Sequence, residues 1–164
     1  MIDGNRDRPL RNFPELARGL TTGIEVDQFL AEKAALWRAG KTFCYGVWLQ
    51  AADTLIGQVQ VKNVVWNVPA AELSYSIDGA FLRQGYATEA IQAVLGAAFK
   101  ALGFQRIYLR IIVTNADSLV LADKLGVKHE GLHRSEFRCG FGELHDVHVV
   151  SLTAQDYLES SFGL

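Results

Sequence analysis

The hydrophobic and polar positions of this chain repeat with two periods, one typical of β-strands and the other of α-helices. Aromatic and branched residues gather in short runs between turn-forming residues, which is the strand pattern. It predicts a turn at 51–53, a break at 67–69 and a final hairpin around Gly140-Phe141-Gly142. The predicted strands are Phe43–Leu49, Leu55–Val65, Ala71–Ile77, Ile107–Val113, 127–137 and 144–152.

Apolar residues at helical spacing, each run followed by a glycine, predict three helices and a terminal helical turn. The first covers about 24–39, with Thr22 as its cap and Gly40 at its end. The second runs from about 88 to 102, the third from about 117 to 125, and the last turn lies at 153–159. Residues 1–21 carry two prolines and are predicted to be irregular. The apolar face of the first helix consists of Val26, Phe29, Leu30, Leu36 and Trp37.

The order of these elements predicts a mixed sheet with helices on its faces. Strands come first as an antiparallel run and then as β-α-β units, and the unit over 71–113 should be a right-handed crossover. With no internal repeat or linker, we expect residues 1–164 to form one domain.

Composition narrows the class of protein. Of the 164 residues, 49% are hydrophobic and 21% charged, an ordinary globular balance. A net charge of -2 argues against nucleic acid as a partner. No apolar run is long enough to cross a bilayer and the charged start is no signal peptide. Because two cysteines make no disulfide framework, we expect a reducing, cytoplasmic location.

The segment Arg83-Gln84-Gly85-Tyr86-Ala87-Thr88 joins a predicted strand to a predicted helix. The first turn of a helix leaves backbone N–H groups unpaired and carries partial positive charge. Glycine lets the backbone turn tightly and approach a ligand closely. The loop therefore suits a diphosphate, although a glycine and a small residue before a helix can also be a plain connection.

Several blocks of the sequence resemble one enzyme family. They are Ala71-Glu72-Leu73-Ser74-Tyr75-Ser76-Ile77, Gly85-Tyr86-Ala87-Thr88-Glu89-Ala90, Asn115-Ala116-Asp117-Ser118, Lys124-Leu125-Gly126 and the ending 144–152. In order and spacing they resemble the GNAT N-acetyltransferases over about residues 20–152. The branch they resemble most contains the ribosomal-protein N-terminal (alanine/serine) acetyltransferases.

The resemblance implies the α+β (α/β/α) GNAT fold, a mostly antiparallel mixed sheet with a V-shaped splay between two parallel strands and helices on both faces. It implies acetyl-CoA as donor, with its pyrophosphate on Arg83, Gln84, Gly85, Tyr86, Ala87 and Thr88. The pantetheine arm would lie between the strands at 71–77 and 107–113, reaching Ile77, Asn115 and Ser118. The acceptor would be an amine, on a protein N-terminus or a small molecule, and a homodimer is expected.

Three departures from the family pattern bear on these expectations. Leu82 stands where the family loop usually begins with a polar residue. Ala122 stands where many relatives place a tyrosine that protonates the departing CoA, which puts the tyrosine mechanism in doubt. The strand and helix that usually precede the region matching Asn5–Thr22 are also missing from the sequence. Truncation and an edge strand from a partner are both open explanations.

Acetyl transfer to an amine needs a proton acceptor for the amine, a donor to the oxyanion and an acid for the thiolate. Glu72, on the strand face opposite Leu73 and Tyr75, is the candidate base, acting through a water; a salt-bridged structural residue is the alternative. Ser118 is the candidate acid, and helix capping is its alternative role together with Asn115.

Other chemistries have weaker support. We expect no metal, because His145 and His148 differ in strand parity and no zinc motif is present. His145 with Asp146 would either line the acceptor pocket or make a structural hydrogen bond, and Cys139 is interpreted as a turn residue. A non-catalytic acyl-CoA-binding or regulatory domain on the same fold is the alternative to an enzyme.

Overall fold

Six strands and four helices follow one another along residues 23–163, the part of the chain that the computed structural model describes. The helices are α1 (Gly23–Arg38), α2 (Tyr86–Gly96), α3 (Ala116–Lys124) and α4 (Ala154–Glu159). The strands are β1 (Phe43–Leu49), β2 (Thr54–Val65), β3 (Ala70–Ile77), β4 (Arg106–Ile112), β5 (Lys128–Arg138) and β6 (Leu144–Thr153). Every predicted strand is confirmed, within two residues at each end.

The strands form one sheet in the order β1-β2-β3-β4-β6-β5. All neighbouring pairs are antiparallel except β3 and β4, which are parallel and joined through α2. The predicted mixed, mostly antiparallel sheet is therefore confirmed. The helices α2, α3 and α4 contribute side chains to the same core as β2, β3, β4 and β6, because the apolar stripe of each meets the apolar face of the sheet.

The first helix has the predicted bounds, but its apolar face is not buried. Val26 is 38% exposed and Leu30 57%, so neither belongs to the core. Near the end of the helix the Trp37 ring packs on the sheet, contacting Phe43 and Tyr45 edge to face. The helix contacts the edge strand β1, beyond which no further strand of the described sheet can cover its stripe. The predicted cap Thr22 lies outside the described residues.

The second helix begins at Tyr86, two residues earlier than predicted, and its last turn is π-helical over Ala97–Ala101. The early start follows from Gly85, which takes the left-handed conformation at φ +89° and is itself the N-cap. A glycine in this conformation turns the chain directly into the helix, so no extra residues are needed. The connection from β3 to α2 is correspondingly shorter than the sequence predicted.

The last helix is held by a capping box. The Thr153 hydroxyl accepts a hydrogen bond from Asp156 N–H, and the Asp156 carboxylate accepts from Thr153 N–H. Lys128 Nζ adds an ion pair 2.5 Å from the carboxylate. These contacts, led by the hydrogen bond from Lys128, lower the pKa of Asp156 to about 2. A lowered pKa stabilises the fold above the usual carboxyl pKa, and that stabilisation disappears as the pH falls to about 2.

We expect Asp156→Asn to reduce the free energy of unfolding at pH 7 by no more than about 2 kcal/mol, since part of the ion pair is solvent-screened. The difference between wild type and variant should shrink as the pH falls from about 4 to about 2. Urea unfolding of both proteins across this range measures it. A difference that stays constant with pH would contradict the role of the charge.

None of the helices within residues 23–163 combines the length and the apolar composition of a membrane span.

Candidate active site

The two parallel strands of the sheet separate after a short paired segment. Hydrogen-bonded register between β3 and β4 covers only Ala70↔Arg106, Ala71↔Ile107 and Glu72↔Tyr108. Beyond it, β3 continues to Ile77 and β4 to Ile112 without pairing to each other. The predicted splay is therefore present. A cleft lined by both strands follows the paired segment, a geometry in which an extended molecule can lie as an added strand.

Two cavities open on the splay. The larger, about 400 Å³, lies between the end of β3, the loop 81–88 and α3. The smaller, about 90 Å³, lies between β3 and β4. Tyr75 and Ser118 line both cavities, so these two side chains stand where the cavities adjoin.

The loop before α2 has the backbone of an anion-binding turn. Arg83 has φ +58° and Gly85 φ +89°, two left-handed residues within three positions. The first helical hydrogen bond runs from Glu89 N–H to Gly85 O at 3.1 Å. The N–H groups of Tyr86, Ala87 and Thr88 precede that bond and lie at the positive end of the helix dipole. A Cβ built on Gly85 would meet nothing within 4 Å, so open space adjoins the glycine.

Most of the sequence-predicted cofactor residues share the larger cavity. Its lining includes Ile77, Arg83, Gly85, Tyr86, Ala87, Thr88 and Ser118. Gln84 is not among them, because its side-chain amide donates to Ala80 O at 3.2 Å and so braces the loop. Leu82 lines the cavity as an apolar residue. Arg83 pairs with Asp117 at 3.2 Å across the cavity mouth, with both side chains largely exposed.

The beginning of α3 carries the other two predicted residues. Asn115 is its N-cap and accepts a hydrogen bond from Ser118 N–H at 3.3 Å, as its capping alternative anticipated. Asn115 lines the smaller cavity together with Ser118. The capping contact uses the Asn115 side-chain oxygen and leaves the Ser118 hydroxyl for other partners. The contacts that the resemblance implied between these residues and the pantetheine arm stay predictions.

Tyr75 is the residue that sequence reasoning missed. Its hydroxyl donates to Ser118 Oγ at 2.8 Å, joining positions 43 residues apart. The alternation of β3 placed Tyr75 on the same face as Leu73 and Ile77 and gave it no role, although the hydroxyl of a phenol in an apolar row needs a polar partner. Ala122, at the family's usual tyrosine position, is fully buried in the core. The phenol at this site is therefore supplied by β3 rather than by α3.

Glu72 is buried, only 4% exposed, and surrounded by hydrogen-bond donors. Asn63 Nδ2 donates to its Oε2 at 2.7 Å, Arg110 lies 3.2 Å from the same oxygen, and Lys62 lies 3.6 Å from Oε1. Glu72 also lines the smaller cavity. The salt-bridged environment of its structural alternative is therefore present. Its role as a base stays a prediction. To take the proton of the amine, the carboxylate must act through a water or one of its present donors must move aside.

Arg110, on β4, links the carboxylates of two other strands of the sheet, Glu72 on β3 and Glu136 on β5. Its second nitrogen lies 3.2 Å from Glu136 on β5. Burial alone would lower the pKa of Arg110, but the charges of and hydrogen bonds from Glu72 and Glu136 outweigh it and raise the pKa above its usual value. Arg110 is thus a permanent cation on the wall of the smaller cavity.

The final hairpin places its titratable residues outside both cavities. Asp146 accepts from Ser135 N–H at 2.8 Å, which is a structural hydrogen bond of the kind its alternative role anticipated. His145 lies 3.5 Å from Glu143. His145, Glu143 and Cys139 come together, with one ligand atom of each within 4.8 Å of the others. The sequence argument had considered only pairs of histidines and did not anticipate this group.

Comparison with known proteins gives a consistent picture. A family model described as acetyltransferase (GNAT) domain matches residues 9–128. The uncharacterized N-acetyltransferase p20 of Bacillus licheniformis is 26% identical over 118 residues, which are 72% of this chain and 66% of that protein. The match thus spans slightly less than two thirds of the length of this curated relative.

Solved structures agree with the fold. The ribosomal-protein-S5-alanine acetyltransferase of Vibrio fischeri superposes with a TM-score of 0.82 at 20% identity, covering 94% of this chain and 85% of that one. Mutant forms of the spermidine/spermine N-acetyltransferase SpeG of Vibrio cholerae give a TM-score of 0.74 at 25% identity, covering 82% and 80%. The predicted architecture is confirmed at the level of the whole sheet.

Proposed function

Since the chain belongs to the GNAT acetyltransferase family, we propose that it moves an acetyl group from acetyl-CoA to a primary amine by direct attack in a ternary complex. The observation that carries the proposal is the meeting of two cavities at Tyr75 and Ser118. One cavity suits the acetyl donor and the other suits the acceptor. A carbonyl carbon at their junction would lie within reach of both.

The larger cavity fits the donor in shape and charge. The N–H groups of Tyr86, Ala87 and Thr88 offer a diphosphate site at the start of α2. Arg83 and Lys124 add two cations to the same lining. Beyond Glu72 β3 is no longer in register with β4, and its backbone runs along the cleft where a pantetheine amide can meet it. The exposed Arg83–Asp117 pair contributes little by itself and can yield Arg83 to a phosphate.

Ser118 and Tyr75 form the proposed acid. In the transfer, a bond forms between the amine nitrogen and the carbonyl carbon, the carbon–sulfur bond breaks, the amine loses a proton and the thiolate gains one. Because Tyr75 donates to Ser118 Oγ, the Ser118 hydroxyl hydrogen is free to point at the thiolate. Its proton can then be replaced from Tyr75. This pair would take over the task of the tyrosine that Ala122 replaces.

Glu72 is the proposed proton acceptor on the amine side, acting through a water. It lines the smaller cavity with Lys62, Arg110 and Asn115. Two cations and one carboxylate on this wall would repel a polyamine. We therefore favour an acceptor with a single amino group, such as a peptide N-terminus, over a polycation. A screen of alanine- and serine-starting peptides against spermidine decides between these classes.

The proposed function is tested directly by measuring CoA binding and acetyl transfer on the same protein. CoA or acetyl-CoA should raise the melting temperature, since a ligand at a hundred times its dissociation constant adds about 2.7 kcal/mol. Release of free CoA with one acceptor class should follow, measured with a thiol reagent. Absence of a thermal shift at millimolar CoA would refute the donor assignment. A thermal shift without turnover on any amine tested would favour a non-catalytic acyl-CoA-binding or regulatory domain.

Ser118→Ala should lower the rate of acetyl transfer at least about tenfold more than it weakens CoA binding, if the hydroxyl acts on the leaving thiolate. Tyr75→Phe should lower the rate in the same direction, because it removes the donor to Ser118 Oγ. Steady-state kinetics and CoA titrations measure the two effects. Equal losses in rate and binding for Ser118→Ala would instead support a capping role alone.

A homodimer and a cytoplasmic location complete the proposal. Ile24 and Leu30 on α1 are exposed apolar side chains that a second copy would bury. Light scattering behind size exclusion tests the dimer. Cys44 and Cys139 are free thiols, which agrees with a reducing compartment.

A further inference from the structure

The tip of the β5–β6 hairpin brings together three different metal-ligating side chains. Cys139, Glu143 and His145 each offer one ligand atom, and the three atoms lie within 4.8 Å of one another. Cys139 is buried, with 4% exposure, while the side chains of His145 and Glu143 are 18% and 67% exposed. We propose that this group, the hairpin-tip cluster, binds one divalent cation of the zinc class.

The backbone of the hairpin fixes the spacing of the cluster. Cys139 N–H donates to Glu143 O at 2.9 Å, and Gly142 N–H donates to Cys139 O at 2.9 Å. Arg138 Nη1 donates to Gly142 O at 2.8 Å from the outer side of the turn. The turn is therefore closed by three hydrogen bonds before any ion is bound. Preorganisation of this kind reduces the entropy lost when ligands are held around a metal.

The donor set selects the class of ion. A thiolate, an imidazole and a carboxylate are ligands of Zn²⁺, at about 2.3, 2.0 and 2.1 Å respectively. A thiolate disfavours Mg²⁺ and Ca²⁺, which take oxygen ligands. Ligands at those bond lengths around a tetrahedral ion lie about 3.3–3.7 Å apart, so the cluster must contract slightly. The exposed Glu143 side chain can supply that movement, and a water can occupy the fourth position.

The cysteine distinguishes this group from an ordinary surface ion pair. The contact of His145 with Glu143 alone would need no thiol. By contrast, the thiol of the other cysteine, Cys44 on β1, donates a hydrogen bond to Gln58 Oε1, with an Sγ–Oε1 distance of 3.5 Å. Burial raises the pKa of this thiol. The two cysteines therefore occupy different environments. Only Cys139 stands beside a histidine and a carboxylate in the described part of the chain.

A bound ion would brace one wall of the smaller cavity. His145 pairs in register with Phe137 across the hairpin, and Phe137 lines that cavity. The ion would link the start of β6 to the end of β5 directly beyond this pair. The cluster contributes no residue to either cavity, so CoA binding should be the same with and without the ion.

Cobalt is the probe, because tetrahedral Co²⁺ bound to a thiolate gives strong visible bands and a near-ultraviolet charge-transfer band. We expect the tag-free full chain, stripped with a chelator, to bind one Co²⁺ with these bands and to lose them when Zn²⁺ is added. Binding should weaken as the pH falls, since the ligands must be deprotonated. Cys139→Ser should abolish the charge-transfer band, and Glu143→Gln should weaken affinity by more than the about 10- to 100-fold that loss of a group supporting a ligand costs.

Controls keep the test decisive. Cys44→Ser removes the other thiol, and His133→Gln removes an exposed histidine beyond the cluster; both should bind Co²⁺ like the wild type. If Cys139→Ser fails to fold by circular dichroism, His145→Gln and Glu143→Gln on the more exposed side take its place. The proposal is overturned by no Co²⁺ spectrum at tenfold excess metal, by a charge-transfer band that survives in Cys139→Ser, or by one lost in Cys44→Ser.

Discussion

Gly85→Val should weaken CoA binding at least about a hundredfold, which corresponds to about 2.7 kcal/mol. Gly85 has φ +89° at the N-cap of α2, a conformation that costs an L-residue roughly 1–2 kcal/mol. A valine that adopts it extends into the open space beside the glycine, where the diphosphate is proposed to lie. One that avoids it turns the N–H groups of the first helical turn away. Isothermal titration with CoA measures the loss.

Gly103→Val is the matched control. Gly103 also has positive φ, +75°, and its Cβ would likewise meet nothing within 4 Å. It follows the π-helical segment Ala97–Ala101, far along the chain from the loop. Both variants should therefore lose similar stability, while only the Gly85 variant loses CoA. Equal CoA affinities in the two variants would mean that the loop is a connector. A Gly85→Ala variant, with a smaller side chain, should show an intermediate loss.

Glu72→Gln should lower turnover by about a hundred- to ten-thousand-fold and leave CoA affinity as it is, if the carboxylate accepts the proton of the amine. The rising limb of the pH–rate profile should change with it, because the titrating group is removed. Pre-steady-state and steady-state rates across pH, with CoA titrations beside them, measure this prediction.

Glu136→Gln separates catalysis from the ion-pair network. Glu136 pairs with the same Arg110 as Glu72 does, yet it lines neither cavity. A network role predicts comparable losses of stability in both variants and modest losses of rate. A base predicts a large loss of rate in the Glu72 variant alone. If Glu72→Gln keeps most of its turnover with the wild-type pH profile, the amine must lose its proton elsewhere, and the enzyme acts chiefly by positioning two substrates.

The two experiments address different halves of the proposal. If Gly85→Val binds CoA as well as the wild type does, while CoA still raises the melting temperature, then CoA binds elsewhere on the protein. The proposed roles of the catalytic residues are not affected by that outcome. Failure of the Glu72 prediction would leave donor binding and the Ser118–Tyr75 pair in place. Neither outcome depends on the hairpin-tip cluster, whose ligands lie outside both cavities.

The local sequence was sufficient to predict where the helices and strands of this protein lie. Apolar spacing located the start of α2 and both ends of every strand to within two residues, because periodicity reports which face of an element is buried. Gly85 and the small residues after it located the loop, since the requirement for positive φ is a property of a single residue. The capping role of Asn115 also followed from its place before a helix. Order and spacing of the blocks then identified the family.

Contacts between distant segments were decided only by the tertiary structure. The Tyr75–Ser118 bond, the donors around Glu72 and the hairpin-tip cluster each depend on strand register and on where β3 and β4 separate. The apolar stripe of α1 suggested a buried face, but its residues are exposed in the structure. Whether a helix face is buried depends on which other elements pack against it, and the sequence of the helix does not specify them. Periodicity gives the direction of a side chain from its own backbone. Which side chain it meets is set by how strands of different segments pair and diverge, and that information is not local.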